Sequence, residues 1–437
     1  MNVRASLGAA AVAATAMMSA PGAQTPASGT VAFVNVTTVP MDGNRVVPGS
    51  TVVVSGGAVT AVGSSSSVKP PADATVIDGR GKFLMPGLAE MHGHIPSPIS
   101  SPSLTDNVLF LYVANGVTFV RGMQGAEGQL ALRDRAARNE IVAPTLMLAA
   151  PAFNAKTADD AMALVRTRKA EGWDLLKILG GLTRESYDAM AATARELKIP
   201  FAGHVPSTVG LDHVLLRSQD TIDHLDMYAE SIGGTSAPVT DTAIQDLVAR
   251  TLKAGTANVP TLFVWETLRG PVTLESRTTL PELQYLPPAQ VAQWTKGLQN
   301  RLSNPTFDAV AAKHYIDNRM RILAALYKAG APILLGSDAP QQFNVPGFSI
   351  HHEMQRMIDA GMTPYDVITS GTAAVGAHVG GAFGRVAVGQ RADFILVDAN
   401  PLQDVANVRK RSGVMLRGRW IPEAEIQKRL ATIAAAY

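Results

Sequence analysis

The chain contains no cysteine among its 437 residues. That absence excludes disulfides, thiolate zinc sites, iron–sulfur clusters and cysteine nucleophiles. Any bound metal must be held by His, Asp, Glu or a less common ligand. An excess of one charge is missing too: 38 Lys and Arg face 36 Asp and Glu, a net charge of +2. Such a balance leaves no electrostatic footprint for nucleic acid, and none is expected as a partner. No segment beyond the N-terminal stretch has the ~20 uninterrupted apolar residues of a membrane helix, so no membrane span is expected. No internal repeat of fixed short period is visible. What is present is a globular composition, 46% hydrophobic and 17% charged, with ample apolar residues for a large core.

The N-terminus reads as an export signal over residues 1–27. Arg4 supplies a positive start, Ala5 to Ser19 is small, apolar and uncharged, and Ala20 to Ala27 is rich in small residues and Pro. The expected location is therefore periplasmic or secreted. An Ala-rich tail is the plainer alternative.

Short β-branched runs follow: Val31–Val36, Thr51–Ser55, Ala58–Val62 and Thr75–Asp78. The same texture returns in Gly384–Val388, Asp393–Asp398, Val414–Leu416 and Arg419-Trp420. Between them, strand-like and helix-like runs alternate, as in Thr145–Leu148 before Ala158–Glu171 and Leu175–Leu179 before Arg184–Leu197. Repeated β-then-α over ~300 residues predicts an α/β fold, a (β/α)8 TIM-like barrel over 85–383. The two ends, 28–84 and 384–437, would pair into one small β-sandwich. The Pro-rich stretch Trp265 to Pro305 is expected to be a long irregular loop, a candidate lid over the barrel mouth.

The sharpest motif is Glu90-Met91-His92-Gly93-His94. On a strand, positions i and i+2 share a face, so His92 and His94 present two imidazoles to one place. Lys177 lies inside the apolar run Leu175–Leu179, where an amine is costly unless paired or neutralised. His204, His224 and Asp338 each sit at or just past the end of an apolar run. In a (β/α)8 barrel those ends form the active-site mouth, so all six side chains would converge. Singly, each has an ordinary structural explanation: core His, helix cap or snorkelling Lys.

This pattern resembles the metal-dependent amidohydrolase superfamily. The resemblance extends to Leu84-Met85-Pro86-Gly87-Leu88, Gly116–Arg121, Ala360-Gly361-Met362-Thr363-Pro364 and Gly389-Gln390-Arg391-Ala392-Asp393-Phe394. It implies a barrel with a sandwich built from both chain ends. It also implies metal ligation by His92 and His94 on strand 1, Lys177 carboxylated on strand 4, His204 and His224 on strands 5 and 6, and Asp338 on strand 8. The order of these residues is similar to the imidazolonepropionase-related branch that includes Xaa-Pro dipeptidases, and the Lys177 position implies the two-metal type. Two divalent ions are expected, Zn2+ first and Mn2+ or Co2+ as alternatives, with a CO2-derived carbamate on Lys177 bridging them.

The implied activity is hydrolysis of an amide or peptide C–N bond by a metal-bridging hydroxide, on a dipeptide or N-acyl amino acid. Asp338 is the expected proton carrier to the leaving nitrogen. Tyr228 is expected, by resemblance, to polarise the scissile carbonyl; packing as a loop aromatic is the alternative. Arg121 could clamp a substrate carboxylate bidentately or form a supporting ion pair. His352 and Glu353 are expected to be structural. His213, His314, His351 and His378 are expected at solvent or helix surfaces. Alternatives in function are a cyclic-amide hydrolase or deaminase of the same superfamily, a lactone or ester hydrolase, and a non-catalytic binding protein. The partner is a small molecule or short peptide, and a homo-oligomer is compatible with the sequence.

Overall fold

A computed structural model describes residues 29–437; the export signal expected over 1–27 lies outside them. Among the described residues fifteen strands are formed: β1 Val31–Thr38, β2 Val47–Ser55, β3 Ala58–Ser64, β4 Thr75–Asp78, β5 Phe83–Pro86, β6 Leu88–Gly93, β7 Val117–Gly122, β8 Thr145–Leu148, β9 Leu176–Ile178, β10 Phe201–Gly203, β11 Thr221–Asp223, β12 Ala257–Val259, β13 Phe394–Val397, β14 Arg411–Leu416 and β15 Arg419–Pro422.

Strands from the two chain ends form one eight-stranded sheet in the order β15-β14-β13-β5-β1-β2-β3, with β4 pairing β1. The seam is β5 against β13, where Leu84 faces Leu396 and Met85 faces Ile395. Its apolar face, including Phe33, Val52, Val54, Phe394 and Met415, makes a separate core. Gly384–Val388, expected as a strand, is a series of bends.

The middle of the chain alternates parallel strands and helices, as the expected α/β class requires. β6, β7 and β8 form one parallel sheet and β9 to β12 another. Single parallel bridges continue the path, Ala149 with Leu175 and Asn258 with Ile333. The segment Ile333–Asp338 then bonds back to β6: Met91 N donates to Leu335 O at 2.9 Å and Asp338 N to His92 O at 2.7 Å. The strands are short and buried on both faces, which is why they read as apolar runs rather than as alternating patterns.

The helices between them carry their own stop and start signals. Thr157 and Thr240 accept N-terminal amides, and Thr183 and Ser186 form a reciprocal cap. Gly172 and Gly255 end helices with φ of 90° and 68°, where a side chain would be strained.

The stretch expected as an irregular lid is mostly helical: Leu262–Arg269, Glu275–Thr278, a 3-10 turn at Pro281–Tyr285, and Pro288–Leu302. The prolines misled because Pro281 and Pro288 occupy first helical turns, where the missing N–H costs nothing. Leu283, Leu286, Trp294 and Leu298 pack in one cluster with Ile426, Leu430 and Ile433 of the C-terminal helix. No helix of the described residues is long and apolar enough to cross a membrane.

Candidate metal centre

The parallel strands bring five of the six predicted ligands into a connected group at their C-terminal ends, and His204 stacks onto its edge. Ligand atoms of His92, His224 and Asp338 all lie within 4.8 Å of one another. His94 Nε2 is 2.7 Å from Asp338 Oδ1. Lys177 Nζ is 3.2 Å from His92 Nε2. The rings of His204 and His224 are 4.7 Å apart between centroids.

Partners behind the rings fix their orientation. His92 Nδ1 meets Asp223 Oδ2 at 2.8 Å, His204 Nδ1 meets Asp226 Oδ2 at 3.1 Å, and His224 Nδ1 meets Thr261 Oγ1 at 2.7 Å. Each contact engages Nδ1 and not Nε2, the arrangement by which histidines are held for metal binding. Burial, with the nearby positive charges, pushes the pKa of His92 and of His224 well below the ordinary imidazole value, so both are neutral and carry a lone pair. Burial likewise lowers the Lys177 pKa, favouring the neutral amine that can take up CO2. The donors are nitrogen and oxygen only, which suits Zn2+, Mn2+ or Co2+. The residues therefore fit a divalent metal site.

Backbone geometry is unusual here. His224, Thr261 and Asp338 have φ of 66°, 46° and 65°, a left-handed region costly for non-glycine residues. A Cβ on Gly203 would lie 2.4 Å from Ile178 O and 3.2 Å from Lys177 Cδ. Glycine is thus what lets β10 lie so close beside Lys177.

Two residues expected as substrate contacts lie buried, in the manner of the alternative given for each. Arg121 is 1% exposed and wholly committed inward. It donates to Met91 O at 2.6 Å, to Thr221 Oγ1 at 3.0 Å and to Asp223 Oδ1 at 3.0 Å. It supports the carboxylate that orients His92, and its remaining Nη1 is buried without a hydrogen-bond partner, 3.8 Å from Asp220 Oδ2. Tyr228 is 0% exposed, and its hydroxyl accepts from Thr251 Oγ1 at 3.2 Å. The chain turns into a helix at Tyr228–Ser231, which sends the ring into the core instead of the mouth.

Glu90, Asp223, Asp226 and Thr261 escaped the sequence reading. Glu90 shares the strand face of His92 and His94. It accepts from His92 N at 2.9 Å and Ser337 N at 2.8 Å, and its other oxygen meets Ser337 Oγ at 2.6 Å. Burial raises its pKa to about 8. A carboxylate in phase with a His-x-His pair was the available signal, and Asp223 inside an apolar strand was another. Thr261 had none, because it reaches His224 only through the fold.

Glu353 and His352 are structural, as expected. Glu353 accepts from Leu262 N at 2.8 Å and Phe263 N at 3.0 Å, and His352 pairs with Glu282 at 2.6 Å. His351 is not at a surface: it is buried, with no hydrogen-bond partner for either ring nitrogen among the described residues. Its helix, Phe348–Asp359, turns that residue inward.

Comparison with known proteins places the chain in a family. Residues 83–421 match the Amidohydrolase family, and the chain belongs to that family. Membership bears out the expected class, a metal-dependent hydrolase acting on carbon–nitrogen bonds. Among solved structures, a Xaa-Pro dipeptidase with bound methionine in the active site is 17% identical with a TM-score of 0.69, covering 90% of this chain and 100% of that one. A bottromycin amidohydrolase is 22% identical with a TM-score of 0.74, covering 93% and 92%. These likenesses show a shared fold. Adenine deaminase 2 from Shouchella clausii (strain KSM-K16) is 25% identical over 196 residues, 40% of this chain. The match spans only 34% of that relative's length.

Proposed function

We propose that the parallel strands β6 to β12 and the segment Ile333–Asp338 form a closed (β/α)8 barrel, and that its mouth hydrolyses an amide or peptide C–N bond with two divalent ions. The observation that carries this reading is the convergence of His92, His224 and Asp338 with Lys177 Nζ 3.2 Å from His92 Nε2. A single ion would not need a buried lysine among its ligands. Lys177 as a carbamate would supply carboxylate-type oxygen ligands to the ions.

His92, His94, Lys177 and Asp338 would hold one ion, and the Lys177 carbamate, His204 and His224 the other. When bound, the ions polarise a carbonyl and acidify water toward a pKa of ~7. The chain's own residues do the rest. The Asp223 carboxylate, an acceptor only, would hold the proton of His92 on Nδ1, and Thr261 orients the His224 ring. Asp338 Oδ1, 2.7 Å from His94 Nε2, is placed to hold a proton and pass it to the leaving nitrogen. The substrate is a dipeptide or N-acyl amino acid, in keeping with the dipeptidase fold likeness. Export to the periplasm or outside is part of the same reading, resting on Arg4 and the apolar run Ala5–Ser19.

The test is a hydrolysis panel with Zn- and Mn-loaded protein in bicarbonate. It covers N-acyl amino acids, Xaa-Pro and other dipeptides, lactones, cyclic ureides and adenine. Release of a free amino acid from acyclic amides, with two metals per chain by elemental analysis, is expected. Turnover of adenine alone with one metal per chain would overturn the reading.

A further inference from the structure

A cavity of about 310 Å3 lies beside the Leu262–Arg269 helix, near the end of the Pro288–Leu302 helix and the start of the Ala309–Lys328 helix. Its walls include Arg269, Arg301, Asn304, Thr306, Phe307 and Tyr315. Tyr315 and Trp265, whose ring centroids are 6.3 Å apart, stand between it and His224.

We propose that this cavity binds a small oxyanion, a carboxylate- or sulfate-bearing molecule, between the guanidiniums of Arg269 and Arg301. Each guanidinium lies over an aromatic face, Arg269 5.2 Å from the Tyr315 centroid and Arg301 5.0 Å from that of Phe307. Stacking of this kind fixes the planar fork and leaves its edge for a ligand. Among the described residues neither side chain has a carboxylate within ion-pair distance, whereas neighbouring Arg277 has Glu266 at 3.2 Å. Arg301 gives one arm to Gly270 O at 2.9 Å, and its enclosed Nε has no partner. Asp308 borders the cavity, but its Oδ1 accepts from Val310 N at 2.8 Å and Ala311 N at 3.0 Å, so it serves the helix start. Burial first, and then repulsion from the charges of Arg269 and Arg277, lower the pKa of Arg301.

An anion would relieve that repulsion and satisfy the unpaired N–H groups by charge-assisted hydrogen bonds. The volume is at the small end of ligand pockets, which suits a single small anion and not a polymer. Asn304 and Thr306 supply neutral polar groups at the same wall. The site does not depend on the reaction proposed above.

The test is titration calorimetry of the metal-loaded protein with sodium sulfate and, separately, with succinate. One saturable site per chain is expected for at least one probe. Arg269→Gln removes an exposed side chain that stacks on Tyr315, and it should weaken binding roughly tenfold. Arg269→Gln with Arg301→Gln should abolish saturation. Asp338→Asn should bind as the wild type does. No saturable heat with either probe, or binding unchanged in Arg269→Gln, overturns the proposal. Retention in the doubly substituted arginine variant would move the anion away from this cavity and overturn it equally.

Discussion

Asp223 Oδ2 lies 2.8 Å from His92 Nδ1, although 131 positions separate the two residues. The other oxygen of the same carboxylate takes a hydrogen bond from Arg121 at 3.0 Å. Arginine, aspartate and histidine thus run in series from the core to the cluster. The order explains why Arg121 matters without touching substrate.

Asp223→Asn should therefore loosen the hold on His92. Loss of such a partner lowers metal affinity about 10–100-fold. Metal retained after dialysis against a weak chelator measures it. Wild-type retention would show that His92 needs no orienting carboxylate.

Arg121→Met separates the clamp from the support. It leaves Asp223 without its buried cation, a loss of about 3–5 kcal/mol in comparable pairs. Urea unfolding should show that loss, and KM should change no more for substrates with a free carboxylate than for their amides. A KM rise confined to carboxylate substrates would restore the clamp.

For Tyr228→Phe, the structure gives a packed aromatic whose hydroxyl touches Thr251. The expected cost is about 1 kcal/mol of stability, with kcat within about threefold of wild type. A hundredfold fall in kcat with metals bound would return the residue to the chemistry.

Asp338→Asn tests the proton carrier. Metal content should persist while kcat falls about 10²–10⁴-fold, the usual share of general acid–base catalysis. A metal-replete variant with near-native kcat would remove Asp338 from that role.

Glu353 carries a pH dependence of stability. Burial raises its pKa from 4.5 to about 7, against the two amides that favour its charge. A raised folded pKa means the unfolded chain loses the proton first. The stability is present below pH 4.5 and is lost as pH rises toward about 7. Between pH 5 and 8 the loss is on the order of 2–3 kcal/mol. The gap between Glu353→Gln and wild type in urea unfolding should widen by that amount in favour of the variant. A gap independent of pH would show that Glu353 is not the source.

Much of this was legible from the sequence because of strand chemistry. His92 and His94 alternate on one face, and polar residues such as Lys177 and Asp338 interrupt or end apolar runs, which costs too much to be accidental. Helix limits such as Ala158–Glu171 were legible for local reasons, a threonine before and a glycine after. The prolines between Trp265 and Pro305 were read as breakers, yet two of them start helical turns.

With no cysteine to cross-link or ligate, the sequence alone determined that no metal here is held by thiolate. It also determined which six side chains are offered. Tertiary structure decided their orientation, because Asp223, Thr261 and Asp226 reach the imidazoles across strands rather than along them. It also buried Arg121 and Tyr228 away from solvent. Sequence carries residue type and phase along a strand, but whether a side chain faces the mouth or the core depends on what packs against it.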